Sequence, residues 1–140
     1  MEKNIRKLPE ELIYNIMSYT YEVQPSTLLH DIKNYYDTKI IVSEYYYRIF
    51  IVELGDEPTE DKNWIINDLY SFYNRYQPTM WGYCDNFYNV FYRNIRLNTR
   101  DNVQNYCKNL DKNSVDTQIN IFWGLLNINE RAEFIKKKLF

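Results

Sequence analysis

"DTKIIVSEYYYRIFIV", residues 37–52, is the stretch on which the fold turns. Its branched and aromatic residues have strong strand propensity, but no turn signal divides it into two strands. Together with the residues before it, the apolar set Leu28, Leu29, Ile32, Tyr36, Ile40, Tyr47, Ile49 and Phe50 keeps a period of roughly 3.6 residues. A helix from Leu28 to Leu54 follows, with a break allowed near Asp37 and Thr38. Gly55 fits the left-handed position after a helix, and Pro58 blocks continuation.

The rest of the chain supports a helical reading. Only 3 Gly and 4 Pro punctuate 140 residues, whereas an all-β domain would need a turn signal about every 8 to 12 positions. The length suits one core, and 15 Tyr with 7 Phe supply too much buriable ring surface for a disordered chain. The expectation is a single all-α domain over 1–140, a bundle of six or seven helices with no internal repeat and no linker.

Local signals place the helices. In "LPEELIYNIMSY", residues 8–19, Pro9 fits the first helical position and two glutamates face the positive end of the dipole. Leu12, Ile13, Ile16 and Met17 then form an apolar stripe. Ser26 is placed to cap the helix that follows, and Thr59 to cap one burying Trp64, Ile65, Leu69, Phe72, Tyr73 and Tyr76. Thr79 to Ile95 gives a near-ideal stripe of Met80, Cys84, Phe87, Tyr88, Phe91 and Ile95. Shorter helices follow at Thr99 to Leu110 and in "SVDTQINIFWGLL". A last one opens on the reciprocal cap of Asn127 and Glu130, runs through Ala132, Phe134 and Ile135, and ends at Lys136 to Lys138.

Chemistry-bearing patterns are few. His30 is the only histidine, and on a helix its neighbour Asp31 points about 100° away. There is no nucleophile elbow, phosphate loop or metal-ligand spacing, so neither enzyme activity nor a cofactor is expected. Cys84 and Cys107 read as buried free thiols of a reducing compartment. The charged N-terminus resembles no signal peptide and the apolar runs are too short to span a bilayer, which predicts a soluble intracellular protein.

Seventeen basic against nineteen acidic residues, net charge −2, give no global attraction to nucleic acid or an anionic membrane. A local exception would be Arg93, Arg96 and Arg100 interleaved with Tyr88 and Tyr92, the residue types of a single-strand groove; Asp85 and Asp101 are positioned to balance them. Trp64 and Trp81 read as core. Trp123, adjacent to Phe122, reads as the aromatic most suited to face a partner.

The opening segment resembles an F-box, whose first helix begins Leu-Pro, carries an acid two positions on and continues with aliphatic residues. Leu8, Pro9, Glu11, Leu12, Ile13, Ile16 and Tyr19 match by type, and the similarity runs over 8–50. Where that family carries a Trp, this chain has Tyr46 and Tyr47. With its A/T-rich codon usage in Asn, Lys, Ile, Tyr and Phe, the chain looks like small F-box-like proteins of large eukaryotic DNA viruses.

The resemblance implies F-box-like helices at the N-terminus that dock a Skp1-type subunit of a cullin ubiquitin ligase, with Leu28 and Leu29 continuing that surface. A helical module over 59–140 would recruit a target protein, in the cytoplasm or nucleus of a host cell. The same segment also reads simply as a well-started core helix. A viral structural or assembly subunit, possessing exposed aromatics and found in the virion, is the alternative, and a nucleic-acid-binding helical protein the second.

Overall fold

The computed structural model describes residues 9, 10, 12 and 26–140. Leu8, Glu11, Ile13, Ile16 and Tyr19 lie outside the described residues, as do Met17 and Pro25. Six α-helices and no strand occur among the described residues: α1 (Ser26–Tyr46), α2 (Glu60–Tyr73), α3 (Asp85–Phe91), α4 (Arg100–Leu110), α5 (Val115–Leu125) and α6 (Ile128–Leu139). The described residues thus form an all-α bundle. None of its described helices is long and apolar enough to cross a membrane.

The deciding stretch is helical. α1 runs unbroken through Asp37 and Thr38, because the Thr38 hydroxyl donates to the Asn34 carbonyl one turn back (2.6 Å) instead of competing for the backbone. It then widens into a π-helical segment, Tyr47–Glu53, in which the Leu54 N–H reaches the Ile49 carbonyl five residues back. Gly55 is left-handed (φ 68°) and ends it as expected. The apolar residues of α1 divide into two stripes rather than one. Leu28, Tyr35, Val42 and Tyr46 are buried, whereas Leu29, Tyr36, Ile40 and Tyr47 are exposed.

α1 packs on α2, α5 and α6, and α2 packs on α5. Between α2, α3 and α5 lies an aromatic core in which Tyr73, Phe87, Phe91 and Phe122 meet edge to face or tilted, at centroid distances of 4.7 to 6.5 Å. The buried Tyr73 hydroxyl donates to the Phe122 carbonyl, so the one polar atom that this ring carries inside is satisfied.

Arg131 is the most consequential buried group, with none of its surface exposed. Nε donates to the Trp123 carbonyl (3.1 Å) and Nη2 to that of Gly124 (3.3 Å). Nη1 serves the Asp31 carboxylate (2.7 Å) and Asn34 Oδ1 (3.1 Å), and the guanidinium lies 5.7 Å from the Tyr35 ring centroid. Burial lowers the pKa of this arginine, and the Asp31 charge opposes that shift. One cation therefore joins α1, α5 and α6. Asp31 faces this cation, while its neighbour His30 is exposed.

Two expectations about helix limits fail for local reasons. Thr59 is left-handed (φ 78°) and makes no side-chain cap. The helix expected from Thr79 to Ile95 is only a 3-10 turn (Thr79–Trp81), a connector and the short α3, because a side chain takes a backbone donor that a long helix would use. Asn74 Oδ1 accepts from the Cys84 N–H (2.7 Å). By contrast, Thr99 and Ser114 cap α4 and α5, and Asn127 with Glu130 forms the reciprocal cap of α6.

Arg131→Ala should destabilise the fold by about 3 to 5 kcal/mol in urea denaturation, since it strands Asp31 and two buried carbonyls. Stability should also fall as pH rises past 10.0. Burial raises the Tyr46 and Tyr70 phenols above that ordinary value, and the Asp68 carboxylate that accepts from Tyr46 raises it further. Below pH 10.0 both states hold these protons. Above it the unfolded chain releases them first, so unfolding gains, and urea midpoints measured across this range check the sign.

Candidate protein-interaction surface

The connector between α2 and α3 is built around one fully buried amide. Asn74 Nδ2 donates to the Gln77 carbonyl (2.9 Å) while its Oδ1 accepts from Cys84, which closes residues 74–84 into a loop. Asn86 Nδ2 donates to the Tyr73 carbonyl (2.8 Å) and braces the same corner. Within the loop Arg75 (φ 54°) and Tyr76 (φ 61°) are consecutive left-handed residues, a conformation costing each of them on the order of 1 kcal/mol, and Gly82 sits at φ 92°. The Tyr83 ring stacks flat on Phe87 at 3.8 Å and pins the far end.

What this held loop presents is apolar. Met80 is 82% exposed and Trp81 84% exposed, adjacent on the 3-10 turn. Tyr76 is half-exposed beside them in sequence, with Lys137 Nζ 4.3 Å and Lys138 Nζ 5.3 Å from its ring centroid. Basic residues at the end of α6 thus sit against an aromatic member of the loop. Beneath it an open groove of about 300 Å³ is lined by Tyr70, Thr79, Tyr83, Cys107 and Asp111. Burial, with the Asp111 charge adding to it, pushes the Cys107 thiol up to about 12, and burial raises the Tyr83 phenol as well. At neutral pH both are protonated and weakly nucleophilic.

The residues singled out from sequence are distributed differently. Pro9 is buried, its Cβ 3.7 Å from where a Cβ on Gly124 would lie, and Leu12 is fully buried in the core. Glu10 between them accepts from Arg96 (3.4 Å) and from the Tyr106 hydroxyl (3.3 Å). Leu28 is buried and Leu29 exposed. Trp123 does not face outward. It is 1% exposed, crosses Phe134 edge to face at 5.4 Å, and its indole N–H donates to the Thr38 hydroxyl (3.0 Å).

Arg93, Arg96 and Arg100 do not share a helix face, because α3 ends at Phe91 and α4 begins at Arg100. Each is offset by an acid: Arg93 by Glu130, Arg96 by Glu10 and Arg100 by Asp85 (2.7 Å), with Arg100 also over the Tyr88 ring at 4.8 Å. Both cysteines are free, and among the described residues no cluster of His, Cys, Asp and Glu could hold a metal ion.

Met80 and Trp81 were expected inside. The signal that marks them is the bracket of Pro78 before and Gly82 after, a pair that favours a turn over a continuous helix. No family model, curated protein or solved structure matches the chain.

Proposed function

We propose that the protein is a non-enzymatic interaction adaptor whose 74–84 loop binds a target protein. The single observation behind this is the pair Met80 and Trp81, almost fully exposed on a loop that the buried Asn74 holds in place. A Trp is the side chain most often found at the energetic centre of an interface, and a preorganised loop loses little entropy on docking. The partner surface that fits is an apolar pocket for the indole, with an acid at its rim opposite the exposed Lys137.

The F-box-like resemblance supports a second engagement, with a Skp1-type subunit of a cullin ubiquitin ligase bound through the N-terminal segment. The two readings are compatible, since the loop lies in the module expected to recruit a target. Pro9 and Leu12 are packed within this chain, so docking through them requires their release from the core. A Skp1-type subunit would therefore have to rely on other residues that match the family, Leu8 among them.

Affinity purification from expressing cells tests both. Trp81→Ala should leave stability within about 0.5 kcal/mol, because the ring is exposed, while target binding weakens by at least about 2 kcal/mol. Asn74→Ala should act indirectly. With its anchor gone the loop becomes a site of limited proteolysis, and binding falls although Met80 and Trp81 are retained. Capture of a Skp1-type subunit that is lost on changing Leu8 and unaffected by Trp81→Ala supports the F-box-like engagement. A folded protein that retains its target after Trp81→Ala refutes the loop.

A further inference from the structure

α1 carries a second apolar face that the bundle leaves exposed. At about 100° per residue, Leu29, Tyr36 and Ile40 of α1 and Tyr47, the first residue of the π-helical segment, fall within about 40° of one another, roughly 115° around the helix from the buried Leu28, Tyr35, Val42 and Tyr46. Leu29 to Tyr47 covers about 27 Å of helix. The spacing of the stripe is also symmetric. Leu29 and Tyr47 lie equally far from position 38, and so do Tyr36 and Ile40. A face with this property matches itself when a second helix is laid against it antiparallel about a twofold axis at that position.

We propose that two copies of this chain associate through α1 in antiparallel register, with Leu29 against Tyr47 and Tyr36 against Ile40 of the second copy. Charge placement points the same way. Lys33, Asp37 and Glu44 are exposed on one flank of the stripe; Lys33 and Glu44 straddle position 38 to within one residue, and Asp37 lies beside the axis, so two Lys33–Glu44 attractions stand against one Asp37–Asp37 repulsion. In an antiparallel pair related by a twofold axis that flank meets itself, so Lys33 faces Glu44 of the second copy and Glu44 faces its Lys33. A parallel pair would set the flank against the one bearing Lys39 and Ser43 and lose both ion pairs. Lys39 itself turns toward its own bundle, its Nζ 5.8 Å from the Tyr35 ring centroid.

Light scattering on the full chain across a concentration series tests the proposal, with circular dichroism to check folding. The wild-type chain should approach the mass of a dimer. Ile40→Asp should give a folded monomer. Lys33→Glu or Glu44→Lys alone should weaken association about tenfold, because each change turns two attractive contacts per dimer into repulsive ones, and the double variant should recover it. That recovery is specific to the antiparallel register and does not depend on Ile40→Asp folding. Trp81→Ala should leave association unchanged, which separates this surface from the loop. A monomer at millimolar concentration, a dimer indifferent to Ile40→Asp, a double charge variant as weak as the single ones, or loss of the dimer on Trp81→Ala would each overturn it.

Discussion

A single buried guanidinium decides how the helices meet. Arg131 has no water around it, so its charge must be met by protein, and the planar fork of donors fixes where the acceptors stand. Asp31 and Asn34 on α1 supply one side and the last carbonyls of α5 the other. Those carbonyls are free because α5 ends there, at Leu125, and a helix terminus always leaves its final acceptors unpaired. The cation thus satisfies an obligatory vacancy in α5 while holding α6 against α1. An apolar residue of the same volume would fill the space and leave the carbonyls unmet.

Around that cross-link the core is made of rings, and ring packing sets the position of the exposed loop. Tyr73, the last residue of α2, is buried, and the chain turns at Asn74 directly after it. The backbone of the loop is therefore tied at one end to the aromatic cluster and at the other to Phe87 through the stacked Tyr83. Left-handed conformations at Arg75 and Tyr76 persist because both ends are held. The free energy that keeps them there comes from burial elsewhere, a usual arrangement where a surface must be displayed in one shape.

Elements whose cause is local were legible in the sequence. The Asn127 and Glu130 cap and the stop at Gly55 depend on neighbours within a few positions, and both are present. The long helix from Thr79 was not, because the residue that diverts its backbone, Asn74, is ten positions from the amide it accepts. Apolar period alone also merged the two faces of α1. It says which residues are apolar, not which side the neighbours occupy. Arg131 reads as an ordinary surface charge until Asp31, 100 residues earlier, is brought to it. The exposed Met80 and Trp81 were hidden for the opposite reason, since their composition resembles core.

That separation of 100 residues between Asp31 and Arg131 has a consequence for synthesis. At about 5 to 20 residues per second, α1 leaves the ribosome on the order of 5 to 20 s before the residue that closes on it. During that interval the inner stripe of α1 can meet α2 and then α5, but the side that packs on α6 stays bare. The nascent protein then carries a helix apolar on two sides, still waiting for α6. Its exposure to chaperones and to neighbouring chains on the same message is set by the order of translation, before the finished fold exists.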